Sequence, residues 1–503
     1  MKILFIGLLI AFNTNYSLLA QSPDIEWQRS IGGSDDDYTS SIKETSDGGF
    51  ILASSSKSND GDVIGNHGGY DYWISKLDAS GNIIWQRSFG GSGDDIATSI
   101  QQTSEGGYIV SGRSNSNDGD VTGNNGQTDF WIVKLDSAGS ISWQKALGGS
   151  NEDYANCIQQ TEDGGYIVAG DTYSDDGDVS GLHGWVDFWV VKLDAYGNIS
   201  WQKAFGGTDF EVAESIQQTT DNGYIVAGSS SSSDGDVTVN NGQFDCWVVK
   251  LDPIGNLLWQ KSLGGNYDDV ARSIQQTTDG GYVAAGLYTS SNGLWDCWII
   301  KLDSIGTLSW DNVIGGGNID RAISIQQTID AGYILAGHTE SIDGDVTGNH
   351  GGNDSWVVKL DASGNITWQK ALGGSDDDVA NSVIQTASGG FVVVGLSKST
   401  DGDLSENHGG NDSWVVKLEP NADMQDMVKI TLSIYPNPTP GKLIISCIDE
   451  VIGKPYYISD LSGNIVSQGI IKSVKTELDI SILERGIYGI YMANMITTKF
   501  VKL

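Results

Sequence analysis

Cysteine, proline, histidine and basic residues are all scarce in this sequence: 4 Cys, 7 Pro, 5 His, and 28 Lys and Arg against 65 Asp and Glu. Four cysteines cannot staple 503 residues, so no disulfide framework is expected. Cys246 and Cys297 recur at one repeat position where other copies carry Tyr72, Phe130, Phe188, Ser355 or Ser413, which fits small buried strand residues better than a disulfide. The net charge of −37 repels nucleic acid and anionic membranes. Long helix-period patterns are also missing, and the 67 glycines sit among abundant Trp and Tyr rather than in low-complexity stretches. What remains is an all-β protein.

The first segment, "MKILFIGLLIAFNTNYSLLA", has Lys2, a short apolar run and Ala20 before Gln21, and reads as a secretory signal over residues 1–20. No transmembrane segment is expected in the mature chain.

Self-similarity dominates residues 21–419. Trp27, Trp85, Trp143, Trp201, Trp259, Trp310 and Trp368 are spaced 58, 58, 58, 58, 51 and 58 residues apart, and a second series runs from Trp73 to Trp414. Each unit carries four short alternating segments, such as "ATSIQQT", "GGYIVSG", "DFWIVKLD" and "SISWQKA", separated by Asp, Asn and Gly turns. Four strands per unit, seven times, predict a seven-bladed β-propeller. Calling the strands a to d, the last unit stops after c at "SWVVKLEP" and the first begins with an orphan d strand, "DIEWQRS". The expectation is a ring closed by the N-terminal strand. The a–b and c–d hairpins then lie on one face, and the acid-rich b–c and d–a connections on the other. The units resemble the blades of pyrroloquinoline-quinone-type propellers, and the "T.DGGY" turns resemble the structural Asp-box hairpins of sialidase propellers.

The b–c stretch "NDGDVIGNHGGYDYW" holds two open readings. Counted from Asp60, carboxylates at positions 1, 3 and 12 (Asp60, Asp62, Asp71) with glycine at 6 (Gly65) suit a twelve-residue calcium loop, which makes calcium the one candidate cofactor. The candidate ligands are Asp60 and Asp62, Asp118 and Asp120, Asp176 and Asp178, Asp234 and Asp236, Asp343 and Asp345, and Asp401 and Asp403. The same residues are turn formers in their own right. The fifth repeat drops Asp-Gly-Asp yet keeps Asp296, so position 12 has a role without metal. Aromatic residues in or beside the b–c loops, Tyr70, Trp185, Phe244 and Trp295, are candidates for stacking on sugar rings or on a partner's apolar patch, with local packing as the alternative.

No nucleophile–histidine–acid set or phosphate loop is present, and four of the five histidines (His67, His183, His350, His408) share one loop position while His338 stands apart. Catalysis needs a unique constellation, so catalytic residues cannot be named. The expected function is a secreted or cell-surface binding or adhesion module, for a polysaccharide or a surface protein. The alternative is a carbohydrate-active enzyme, a hydrolase or lyase using acids on the loop face.

After a polar linker, 420–430, residues 431–503 show short strands with Gly and Asn turns, expected to form a small β-sandwich. In order, Pro436, Asn437, Pro438, Gly441, Asp460, Gly463, Leu483, Gly486, Tyr488 and Lys499 resemble the type A C-terminal sorting domain of type IX secretion. The resemblance implies export across the periplasm of a Gram-negative bacterium, recognition by an outer-membrane translocon, and release or anchoring at the cell surface.

Overall fold

A computed structural model describes residues 21–420 except 292 and 405, and most of 433–502. The expected signal segment and nearly all of the linker lie outside the described residues, as do Pro436, Asn437, Pro438, Asp460 and Gly463. Seven four-stranded antiparallel sheets make up residues 25–418. Their a strands are Asp37–Glu44, Asp95–Gln102, Asp153–Gln160, Glu211–Gln218, Asp269–Gln276, Asp320–Gln327 and Asp378–Gln385, and they number blades 1 to 7. Strand Ile25–Ile31 pairs with Asp412–Leu418 as the outer strand of blade 7, so the ring closes as the sequence predicts.

A repeated bond shows how well the closing strand fits. In blades 1 to 4 and 6 the c-strand tryptophan donates Nε1–H to a d-strand glutamine, as in Trp131 to Gln144 at 2.8 Å. Trp414 makes this bond to Gln28 at 2.8 Å, across 386 residues. These indoles are buried between blades: Trp131 packs against Tyr72 at 4.5 Å and Trp189 against Phe130 at 4.5 Å. The d-register tryptophans lie further out, Trp85 covering Gly139 of the next blade and meeting Tyr108 edge-on at 5.8 Å. Cys246 and Cys297 are buried free thiols on strands, as expected.

The "IQQT" motif latches neighbouring inner strands. Gln160 N–H donates to Gln101 Oε1 at 2.7 Å, while Gln160 Oε1 accepts Ser104 N–H at 2.8 Å. On the same face the Asp-box turns are held internally: Asp47 accepts Thr45 Oγ1–H at 2.6 Å and pairs with the buried Lys76 ammonium at 3.0 Å. These bonds pull Asp47 down to about 2, the Thr45 hydroxyl leading.

The C-terminal part has a three-stranded sheet (Ser433–Tyr435, Lys442–Ser446, Lys475–Asp479) and a four-stranded sheet (Pro455–Ser459, Ile465–Ile470, Gly486–Met492, Met495–Lys502). Leu443, Ile445 and Leu478 from the first sheet share a core with Ile458, Tyr488 and Ile490 from the second, which is the expected sandwich.

Candidate functional site

Two sets of polar residues compete for the role of site, and they differ in symmetry. The repeated set lies where the d–a connections pass between the b–c loops. In the connection between blades 1 and 2, five successive amides are capped by side chains of blade 2. Gly90 N–H points to Asp120 Oδ2 at 3.3 Å, Gly91 N–H to Asp95 at 2.8 Å, Ser92 N–H to Asp118 at 2.7 Å, Gly93 N–H to Ser116 at 2.9 Å and Asp94 N–H to Asn115 at 2.7 Å. From the other side, Asp94 accepts Tyr70 N–H at 3.0 Å. A short acceptor side chain on a glycine turn is what such amides require, because buried N–H groups must be paired. Gly119, with φ of 63°, passes so close to the Gly90 carbonyl that an added Cβ would lie 2.3 Å from its oxygen.

The candidate metal ligands take these places in every long loop. Asp60, Asp118, Asp176, Asp234, Asp343 and Asp401 accept the amides of Ser34, Ser92, Ser150, Thr208, Gly317 and Ser375 at 2.7–2.8 Å. Asp62, Asp120, Asp178, Asp236, Asp345 and Asp403 face the amides of Gly32, Gly90, Gly148, Gly206, Gly315 and Gly373 at 3.2–3.4 Å. Among the described residues no group of three or more His, Cys, Asp or Glu is gathered so as to hold a metal ion.

The loop's last aspartate faces inward. Asp71 accepts His67 N–H at 2.9 Å, has His67 Nδ1 at 2.6 Å, and is fully buried. Gly90 is the spacer between Asp71 and Asp95, since a Cβ there would meet Asp95 Oδ2 at 2.5 Å and Asp71 Oδ1 at 2.7 Å. The same arrangement recurs with Asp129 and Asp153, Asp187 and Glu211, Asp354 and Asp378, and Asp412 and Asp37 around their own glycines. Burial, with the neighbouring acid adding to it, lifts Asp71 to about 6 and Asp129 to about 7. These pairs are structural by position, repeated and enclosed.

The unrepeated set lines the central cavity. The a strands of blades 1 to 6 have a β-bulge at their fourth residue, and the fourth residues of all seven a strands face one space of ≈300 Å³: Ser40, Thr98, Asn156, Glu214, Arg272, Ile323 and Asn381. No two neighbours are alike. Thr98, Asn156 and Asn381 each donate to a carbonyl of the next blade, Ala155, Ala213 and Thr39, at 2.9–3.0 Å. Glu214 and Arg272 form an ion pair in the same place between blades 4 and 5. Arg321 and His338, cross-strand partners in blade 6, complete the wall. Burial and then Arg321 push His338 down to about 4, so its ring is neutral. Behind Asn156, Asp171 is buried and raised to about 8, first by desolvation and then by Glu214, so it is protonated at neutral pH.

The four candidate aromatics separate. Trp295 lies under the Arg321 guanidinium at 3.9 Å and so adjoins the cavity. Tyr70 is packed between Tyr38, at 5.5 Å, and the Lys57 ammonium, at 4.2 Å. Phe244 is half-buried, while Trp185 is 69% exposed. Sequence motifs do not single out Asn156, Asp171, Glu214, Arg272 and Arg321, because none belongs to a motif. For Asn156, Glu214 and Arg272 the signal is a column of the repeat in which no two neighbouring copies agree.

Gly441, Leu483, Gly486 and Tyr488 lie in the described part of the C-terminal sandwich, and Lys499 on its last strand. Residues 433–503 match the family model described as "Secretion system C-terminal sorting domain". The regulatory protein FlaEY of Caulobacter vibrioides is 23% identical over 217 residues, which are 38% of this chain and 22% of that protein, so the chain spans about a fifth of that relative's length. Among solved structures, a protein of unknown function from Dyadobacter fermentans is 12% identical with a TM-score of 0.41, covering 80% of this chain and 100% of its own. PorZ of Porphyromonas gingivalis, a surface component of the type IX secretion system, is 11% identical with a TM-score of 0.39, covering 94% of this chain and 60% of its own. No helix of the described residues is long and apolar enough to cross a membrane. The sorting domain indicates secretion or cell-surface display in a Gram-negative bacterium, through the type IX machinery. The chain is a seven-bladed β-propeller that ends in a type IX secretion C-terminal sorting domain.

Proposed function

We propose that the propeller is a binding or adhesion module for a saccharide or a surface protein, delivered to the cell surface or medium by its sorting domain. One observation carries this reading. The repeated loop acids hold neighbouring connections together, whereas the fourth residues of the inner strands, which vary from blade to blade, are gathered around one cavity. A recognition site needs such asymmetry, and a rigid ring is a suitable frame for it.

A second reading, a glycoside hydrolase or lyase, is favoured by Asp171. A buried carboxyl kept protonated near neutral pH is what a general acid requires. Incubating the secreted protein with a panel of polysaccharides and glycosides, scored for both retention and product release, tests the two together. Retention without product supports the binding module. Product formation abolished by Asp171→Asn supports the enzyme, and neither retention nor product across the panel refutes both.

A further inference from the structure

Most of this molecule repels anions, with 65 acids against 28 bases, yet the cavity wall has the opposite balance. Its charged residues are Glu214, Arg272 and Arg321. Glu214 neutralises Arg272, and Arg321, which feels the charge of Glu340 but forms no ion pair among the described residues, is the second cation of the wall. Its guanidinium stacks on Trp295, but its buried Nε has no hydrogen-bond partner. Beside it, His338 is 8% exposed and its buried Nδ1 also lacks a partner. A buried polar nitrogen left unpaired carries a desolvation cost; Arg321 Nε–H is a donor, and the neutral His338 ring offers a second donor beside it in its Nδ1–H tautomer.

The rest of the lining specifies what accompanies that acceptor. Asn156 spends its amide protons on Ala213 O at 2.9 Å and Asp171 at 3.2 Å, and Asn381 donates to Thr39 O at 3.0 Å. These bonds leave Asn156 only its carbonyl oxygen, an acceptor, and Asn381 its oxygen and one N–H; carbonyl acceptors read hydroxyl donors. The volume, ≈300 Å³, is at the small end of ligand pockets and suits one sugar-sized unit rather than a chain.

We propose that the central cavity binds a small hydroxylated carboxylic acid, a uronate unit. Arg321 and His338 Nδ1–H hold its carboxylate, and Asn156 and Asn381 accept from its hydroxyls. Arg321 supplies the charge-assisted bonds, the strongest available to a carboxylate. The assignment rests on the reading of the propeller as a binding module and names the ligand class of that site.

Calorimetric titration of the full chain tests it with D-galacturonate, its neutral methyl ester, D-galactose, acetate and inorganic phosphate. Galacturonate is expected to bind the wild type, with the ester and galactose weaker by about 10- to 100-fold. Arg321→Gln should remove that preference for the acid, while Arg321→Lys keeps part of it. The ester comparison uses only wild-type protein, so it holds even if a variant misfolds. Equal affinity for galacturonate and its ester, or for wild type and a folded Arg321→Gln, overturns the assignment. Acetate or phosphate binding as tightly as galacturonate overturns the role given to the hydroxyls. Retention of a neutral polysaccharide by wild type and Arg321→Gln alike leaves the binding module standing and overturns the uronate site.

Discussion

Lowering the pH from 7 to 5 should stabilise the propeller, against the usual expectation that a chain this acidic does best well above its acid range. Asp71, Asp129 and Asp171 are fully or almost fully buried and raised to about 6, 7 and 8 from an ordinary 3.8, mainly by desolvation. A carboxyl raised in the folded state binds its proton more tightly there than in the unfolded chain. Its contribution is therefore present below its folded value and fades as the pH rises through it. Between pH 7 and 5 the three gain about 1, 2 and 3 kcal/mol. His338 works the other way. Depressed to about 4 by burial and by Arg321, it stays neutral while the unfolded histidine takes up a proton, a loss of about 2 kcal/mol. The net gain is about 4 kcal/mol, or ~5 °C in Tm for a domain of roughly 400 residues. Below about pH 4 the gain reverses, because Asp47, Glu105, Asp163 and Asp279, held near 2 by hydrogen bonds and lysine partners, lose those interactions on protonation. Scanning fluorimetry on the intrinsic tryptophans at pH 4 to 8 reads the profile. Asp129→Asn should raise Tm at pH 7 and narrow the gap between pH 7 and pH 5 by ~2–3 °C. A Tm at pH 5 equal to or below that at pH 7 would refute the argument.

Gly90→Ala forces a methyl group between Asp71 and Asp95 and should lower stability by about 3 kcal/mol in chemical denaturation, against about 1 kcal/mol for an exposed Gly48→Ala, where nothing lies within 4 Å and only the positive φ opposes a side chain. Gln28→Ala strands the Trp414 indole N–H on the closing strand and should cost about 1–3 kcal/mol by the same assay; no change would mean that the closing bond is dispensable. Asp118→Ala removes the acceptor for Ser92 N–H and should lower Tm by the same small amount in calcium and in chelator, whereas a loss seen only with calcium would assign the loop to the metal. Deleting residues 433–503 should leave the chain in the periplasm by fractionation and immunoblot; unchanged delivery to the surface or medium would break the link between that segment and export.

The architecture was legible because its causes are local and repeated. Turn residues fix the hairpins, alternation fixes the faces, and the orphan strand at Trp27 has one complementary place to go, beside Trp414. The acids of "NDGDVIGNHGGYDYW" were harder to assign for a physical reason. A cation and a row of backbone amides both demand short oxygen-bearing side chains on a glycine turn, so the two uses leave the same residues in the sequence. What separates them is the neighbour, and the neighbour of Asp118 is the connector at Ser92, 26 positions away in another strand-to-strand link. The repeat with the shortened loop keeps the part that meets the next blade: Asp296 is the second residue of its strand, its equivalents are the first of theirs, and each sits across a glycine from an acid of the next blade.

Cavity residues escaped a motif search because a ring fold inverts the usual signal. In a seven-fold repeat the conspicuous residues are those that recur, and recurrence here follows from each junction posing the same packing problem: an indole to bury, a connector to cap, two strands to latch. A ligand on the ring's axis poses seven different problems, one to each blade. The column of Ser40, Thr98, Asn156, Glu214, Arg272, Ile323 and Asn381 is therefore informative because it lacks consistency, and all seven face one space. Packing alone does not call for this variety, since Thr98 and Asn156 satisfy the neighbouring carbonyl equally well. Nor does it call for an arginine with an unpaired Nε beside a neutral histidine, where a hydrophobic pair would fold at less cost. In a repeat protein, departures from the consensus at one structural position thus bear on function more directly than the consensus itself.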